Sequence, residues 1–314
     1  MIHMMKEMLS NYLSTAQQLM MVVMIMLSVA FFSLMERKIL GYIQYRKGPN
    51  KILINGFFQP FADAIKLITK DDAPVSWSNT WMFYFSPLLM FFLSLFCWVI
   101  TPSVWGVFSS KYSFISMIIL FGMSVYGVML SGWSSNSTYA MLGAIRSVSQ
   151  SISYEVVMSF VILCVMCFFS NYSLEFLYKW KLTLTVMSCP FLFMICFISM
   201  LAELNRTPFD MAEGESELVS GYSTEYGGIT YTIIFLSENV MIFFSSFVMT
   251  FFFFSSLNNI LGFFIFSFMT YMICLIRGIL PRLRYDVLMT MCWTYLMPIA
   301  LIVFNFIFLT VNLN

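Results

Sequence analysis

Six of the chain's 15 acidic residues crowd into 23 positions: Glu203, Asp210, Glu213, Glu215, Glu217 and Glu225. One cation, Arg206, lies among them, and apolar runs flank the stretch "AELNRTPFDMAEGESELVSGY" on both sides. Glu155 and Glu238 stand in apolar runs of their own, and Glu203 closes another. Ionisable groups at membrane depth are costly to keep, so they mark candidate sites of function. Carboxylates held close together titrate as a coupled set that shares a fractional number of protons. Such a set suits a proton input, because a nearby anion or a moved loop alters its proton count. A plainer alternative, a solvated acidic loop that binds a basic partner, fits Glu217 and Glu225 equally well. It fits Glu155 and Glu238 poorly, because solvent has little access to them.

The elements that hold these groups are membrane helices. Sixty per cent of residues are hydrophobic, 10% are charged, and mean hydropathy is +0.86. A soluble domain is about 25% charged, so the composition is that of an integral membrane protein. A haem held by paired histidines is excluded, since His3 is the one histidine. Cys164 and Cys167 have a metal or redox spacing, but they lie in "FVILCVMCFF" with no second pair. They read as helix-packing residues, and the chain is expected to hold no metal or redox centre. The first 21 residues lack the order of a cleavable signal, so no leader is expected. Heavy use of Met (28) and Phe (36) is typical of an A+T-rich animal mitochondrial genome.

A spanning helix needs about 20 mostly apolar residues. Eight runs qualify, at about 13–35, 82–101, 113–132, 155–172, 182–202, 229–254, 260–280 and 289–311. The fold expected is all-α: one polytopic domain over 1–314, without the alternation of a barrel. The connections after spans 1, 3, 5 and 7 carry 12 of the 16 Lys and Arg residues. By the positive-inside rule they face the matrix, as loops at about 36–81, 133–154, 203–228 and 281–288. Both termini then face the intermembrane space. Pro208, Gly214 and Gly221 interrupt regular helix in the acidic loop, and irregular backbone at membrane depth needs protein or a cavity beside it.

Within the first connection, "FFQPFADAIKLITK" has Phe61, Ala64, Ile65 and Ile68 at helical spacing, with Asp63, Lys66 and Lys70 on the other face. This predicts a short amphipathic helix lying in the interface, either a surface anchor or a wall of an amphiphile-binding site. In "LMERKILGYIQYRKGPNK", Arg37 and Lys38 suit a helix C-terminus at the headgroups. Tyr42, Gln44, Tyr45 and Arg46 offer donors and aromatic faces beyond it. "RGILPRLRYD" is basic on the same side, for anchoring or anionic-lipid binding. Arg277 within it is placed to pair with a carboxylate such as Asp63.

The segments "ERKILGYIQYRKGPNK", "QPFADAIKL", "GWSSNSTYAMLGAIRSVSQSISYEV", "AELNRTPFDMAEGESELVSGY" and "RGILPRLRYD" strongly resemble the subunit 1 family of the proton-pumping NADH:ubiquinone oxidoreductase, respiratory complex I. The resemblance runs in order along essentially the whole chain. It implies a core subunit of the mitochondrial inner membrane, at the junction of the hydrophilic and membrane arms, that forms much of the ubiquinone tunnel. Arg37, Arg46, Asp63, Phe235 and Arg277 match tunnel positions. Tyr154, Glu155, Glu203, Asp210, Glu213, Glu215, Glu217 and Glu238 match the acidic channel that couples quinone reduction to proton movement. NADH, FMN and iron–sulfur clusters would belong to partner subunits. The other partners implied are ubiquinone and membrane lipids, cardiolipin among them, and not nucleic acid. Family members usually carry Tyr after the helix 6 glutamate; here Asn239 stands there, able to donate and accept but with less reach.

Three rivals make different demands. A self-contained proton-coupled transporter requires repeat symmetry and broken helices in both halves, and the sequence has neither. A passive anchor for a soluble enzyme leaves Glu155 and Glu238 unexplained. A subunit of a membrane-bound hydrogenase, which need not bind quinone, fits the mitochondrial composition poorly.

Overall fold

The computed structural model describes residues 2–51, 56–72, 74, 76–101, 111–169, 171–174, 189–211, 221–254 and 260–313. Its helices are α1 (Ile2–Ile43), α2 (Gln59–Ile68), α3 (Thr80–Val99), α4 (Ser113–Ser134), α5 (Thr138–Phe169), α6 (Pro190–Glu203), α7 (Gly228–Phe254) and α8 (Ile260–Ile279). The last span begins as α9 (Tyr285–Thr290), passes through a π-helical turn (Met291–Leu296) and continues as α10 (Met297–Leu313). Among the described residues, seven helical stretches are long and apolar enough to cross a membrane, and α6 is a shorter apolar helix. The all-α, polytopic class expected from the sequence is what the structure has.

Two helices form the centre. The most apolar stretches of α5 and α7 are each 56% buried inside the protein, against 22–33% for the other spans. These are the helices that carry Glu155 and Glu238. An interior position spares both carboxylates from lipid. Around them, α4 packs on both α3 and α5, α7 packs on α3 and α8, and α6 and α10 pack on α5. Close approach depends on small residues: a Cβ on Gly132 of α4 would lie 2.2 Å from the Ala144 methyl of α5.

Residues 182–188 of the span expected at 182–202 lie outside the described residues, and two other elements differ from expectation in length. The span expected at 155–172 begins at Thr138, so Glu155 lies in mid-helix rather than at a helix start. The serine-rich stretch is helical all the same, and its hydroxyls are satisfied by helix carbonyls. Ser147 donates to Ala144 O (2.9 Å), Ser149 to Arg146 O (2.9 Å) and Ser153 to Gln150 O (2.7 Å). Likewise α1 continues past the charged "ERK" to Ile43. The amphipathic helix is present as α2, with Pro60 in its first turn, packed between α1 and α7. Its Phe61, Ile65 and Ile68 are exposed.

Candidate functional site

Near the ends of α1, α6 and α8, three charged groups (Glu36, Arg206 and Arg277) meet a fourth, Glu238, from within α7. Successive residues of a helix point about 100° apart, so Glu36 and Arg37 leave α1 in different directions. Glu36 turns inward and is 7% exposed. Its Oε1 accepts from Arg277 of α8 and, at 3.4 Å, from Arg206 Nη1. Arg206 lies just beyond α6 and is also buried. Its Nη2 donates to Asn239 Oδ1 at 3.1 Å and lies 3.9 Å from Glu238 Oε2. Tyr222 closes the group by donating its hydroxyl to Glu238 Oε1. Among the described residues, two guanidinium groups thus face two carboxylates, a balance that a buried charge cluster requires.

Glu238 and Tyr222 also line a cavity of about 80 Å³, with Glu203, Asn205, Ser147, Ser151 and Ser237 on its wall. That volume holds several waters. Glu203 Oε2 and Asn205 Oδ1 are buried and find no hydrogen-bond partner among the described residues. Polar atoms left in this way beside a polar cavity are the partners that buried water satisfies. Glu155 lies against α4, where a Cβ on Gly122 would come within 2.4 Å of its Oε1.

The two ends of the acidic connection are fastened. Before it, Gln150 Nε2 donates to Ala202 O (2.8 Å) and Phe209 O (2.7 Å), and Arg282 Nη2 donates to Asp210 Oδ2 (3.1 Å). After it, the Tyr226 hydroxyl hydrogen-bonds with Ser86 (3.0 Å) and Ser134 (2.9 Å), joining α3 to α4. Its ring stacks on Phe83, with centroids 4.2 Å apart. Burial raises the phenol's pKa, and the two serine contacts only partly oppose this. Tyr226 is therefore protonated at neutral pH.

A second, outer site is built on the neighbouring face of α1, about 100° round from Glu36. Arg37 pairs with Asp63 of α2 at 2.5 Å, and Gln59 Nε2 holds the other Asp63 oxygen at 2.8 Å. Arg37, Arg46, Lys47, Lys51 and Gln59 line an open cleft of about 670 Å³. Arg46 Nε donates to Gln44 Oε1 at 2.9 Å. The pairing of Arg277 with Asp63 suggested by the sequence is thus replaced: Arg277 reaches Glu36, and Asp63 takes Arg37.

Among the expected site residues, Arg277, Glu238 and the half-buried Phe235 gather near the inner cluster, with Glu203 across the cavity. Arg37, Arg46 and Asp63 belong to the outer cleft. Tyr154 is fully buried and donates to Leu288 O at 3.1 Å, which ties α5 to α9. Glu213, Glu215 and Glu217 lie outside the described residues. Glu36, Arg206, Tyr222 and Tyr226 were not singled out as site residues. For Glu36 a signal existed: positions 32, 33, 39 and 40 are Phe, Ser, Ile and Leu. It therefore has no cation at helical spacing, and its partner had to come from another element.

These features define a class: a polytopic helical membrane protein with a balanced charge cluster and a carboxylate-lined cavity between its central helices. The NADH dehydrogenase family profile matches residues 16–308, and the chain belongs to this family. It is 44% identical to NADH-ubiquinone oxidoreductase chain 1 of Apis mellifera ligustica over 296 residues, covering 92% of this chain and 95% of the relative. It is 42% identical to the chain 1 protein of Aedes aegypti over 304 residues, with 96% of each covered. The Artemia franciscana chain 1 protein is 44% identical over 286 residues, 89% of this chain and 93% of the relative. The family membership expected from the sequence motifs is borne out.

Proposed function

We propose that this chain is a core membrane subunit of a proton-translocating NADH:ubiquinone oxidoreductase, and that it lines the quinone path and passes the effect of quinone reduction to a chain of carboxylates. The observation that carries the reading is the Glu36 bridge. One carboxylate takes both Arg277 and Arg206, and Arg206 also faces Glu238 on the cavity.

Quinone would approach by the outer cleft, past Arg37, Arg46 and Asp63, with Phe235 and Arg277 further in. The exposed apolar side chains of α2 suit an isoprenoid tail, and the cations suit a polar headgroup. Reduction takes two electrons and two protons onto the quinone. Any transient imbalance of charge acts on Arg277 and Glu36. At a separation of about 4 Å, unit charges interact by roughly 4 kcal/mol at the effective dielectric of a protein. That is enough to alter how Arg206 is shared between Glu36 and Glu238. Glu238 and Glu203 then exchange protons through water in the cavity between them. Glu155, Tyr154, Asp210, Glu213, Glu215 and Glu217 complete the proposed proton-handling set.

On this reading the electrons come from NADH through FMN and iron–sulfur clusters in other subunits. The chain itself binds ubiquinone and lipids, cardiolipin included. It sits in the mitochondrial inner membrane, with the basic connections toward the matrix and both termini toward the intermembrane space. The clustering of Arg37, Arg206, Arg277 and Arg282 at one end of the bundle supports that topology.

The test is photo-crosslinking of intact membranes with a ubiquinone analogue, followed by peptide mapping and competition with unlabelled quinone. Competable label on residues 37–66 or around Phe235 is expected. Label confined to neighbouring subunits would overturn the quinone-path assignment.

A further inference from the structure

We propose that Asn239 is a positioning residue whose carboxamide oxygen holds the Arg206 guanidinium between Glu36 and Glu238. The inference rests on the reading of this cluster as the link between quinone and proton chemistry.

Asn239 is 0% exposed. An amide buried this completely is kept only where its polar atoms are used. Nδ2 donates to the Phe235 carbonyl one turn earlier, at 2.9 Å, and Oδ1 accepts from Arg206 Nη2 at 3.1 Å. The two contacts fix each other's sense. Rotating the amide by 180° would aim its NH₂ at a guanidinium that has only donors. It would also aim its oxygen at a carbonyl that has only lone pairs. The orientation shown is therefore the one the neighbourhood permits.

Arg206 needs such a guide. It lies on the connection after α6, with no helical backbone to set its direction. Its contacts with Glu36 (3.4 Å) and Glu238 (3.9 Å) are both longer than a close charge-assisted hydrogen bond, about 2.7–2.9 Å. The contact with Asn239 is the shortest of the three. Within this cluster, the acceptor closest to the cation is thus a neutral one on α7, beside the carboxylate it serves. Asn239 acts through Arg206 and is not itself placed in contact with quinone.

The experiment uses the assembled complex in membranes, with rates normalised to the amount assembled. Asn239→Leu keeps the branched shape, with the same number of side-chain heavy atoms, and removes the acceptor. It is expected to lower kcat for quinone reduction about tenfold, or about 1.4 kcal/mol, with KM for a short-chain ubiquinone unchanged within twofold. In an Arg206→Lys background, the same substitution is expected to change kcat less than twofold, because the group it acts through is already altered. A parent-like kcat in Asn239→Leu would overturn the proposal. So would losses that multiply in the double variant, which would mark a packing role independent of Arg206. Glu238→Gln, measured in parallel, separates the two claims. If it loses proton-coupled turnover while Asn239→Leu does not, only the positioning role fails. If Glu238→Gln is also parent-like, the coupling reading fails with it.

Discussion

Replacing Glu36 by Gln tests the bridge while keeping its shape. The carboxylate is almost buried and accepts from Arg277 and, at 3.4 Å, from Arg206. Gln can still accept through its oxygen, so the hydrogen-bond frame survives and the charge is lost. The Coulomb attraction between Arg206 and Glu36 at 3.4 Å is about 5 kcal/mol at an effective dielectric of 20. Relaxation and water entering from the Arg277 side, which is partly exposed, recover some of it. A remainder of only about 1.4 kcal/mol is a tenfold effect on rate. Arg206 would then lean toward Glu238, its remaining carboxylate in the cluster. The expected result for Glu36→Gln is at least a tenfold loss of NADH-driven quinone reduction per assembled complex. Glu36→Ala should do worse, because it also removes the acceptor and leaves a gap. A Glu36→Gln rate within twofold of the parent would refute the argument that the bridge carries the coupling.

Three further outcomes follow from the geometry. Tyr226→Phe keeps the stack on Phe83 but strips a partner from Ser86 and Ser134, both fully buried; it should cost about 1–3 kcal/mol, seen as a lower Tm of the complex and faster proteolysis in the acidic connection. Gly122→Ala should push the Glu155 carboxyl aside and lower proton translocation, because its Cβ would come within 2.4 Å of Glu155 Oε1. Asp63→Asn should alter stability by less than about 1 kcal/mol, since the Arg37 pair is partly exposed (48% and 30%), yet raise KM for quinone at the outer cleft.

Hydrophobic run length located the spans, and the basic connections located the end of the bundle where charge gathers. The element ends were harder to read. A serine-rich stretch looks like a loop in hydropathy, yet Ser147, Ser149 and Ser153 satisfy their hydroxyls on helix carbonyls, and α5 begins at Thr138. The charged tail of α1 also looks like an exit from the membrane. It stays helical because Glu36 and Arg37 face different partners, one in the protein interior and one on α2. The carboxylates Glu155, Glu203 and Glu238 were legible because an acid in an apolar run is rare. Their partners were not, because Arg206, Tyr222 and Glu36 meet Glu238 and Arg277 only after folding, across separations of up to 241 residues. For the same reason the sequence offered Arg277 the wrong carboxylate. Asp63 and Glu36 both lie near the end of α1, and only the helical phase decides which one faces α8.

The central claim is that the cluster and its cavity connect quinone reduction to proton movement. Its most direct test is the number of protons translocated per NADH oxidised in sealed membranes, measured for the parent, Glu238→Gln and Glu203→Gln. The account predicts that both variants assemble, that both slow, and that protons per NADH fall. Parent-like proton yield and rate in both variants would contradict it.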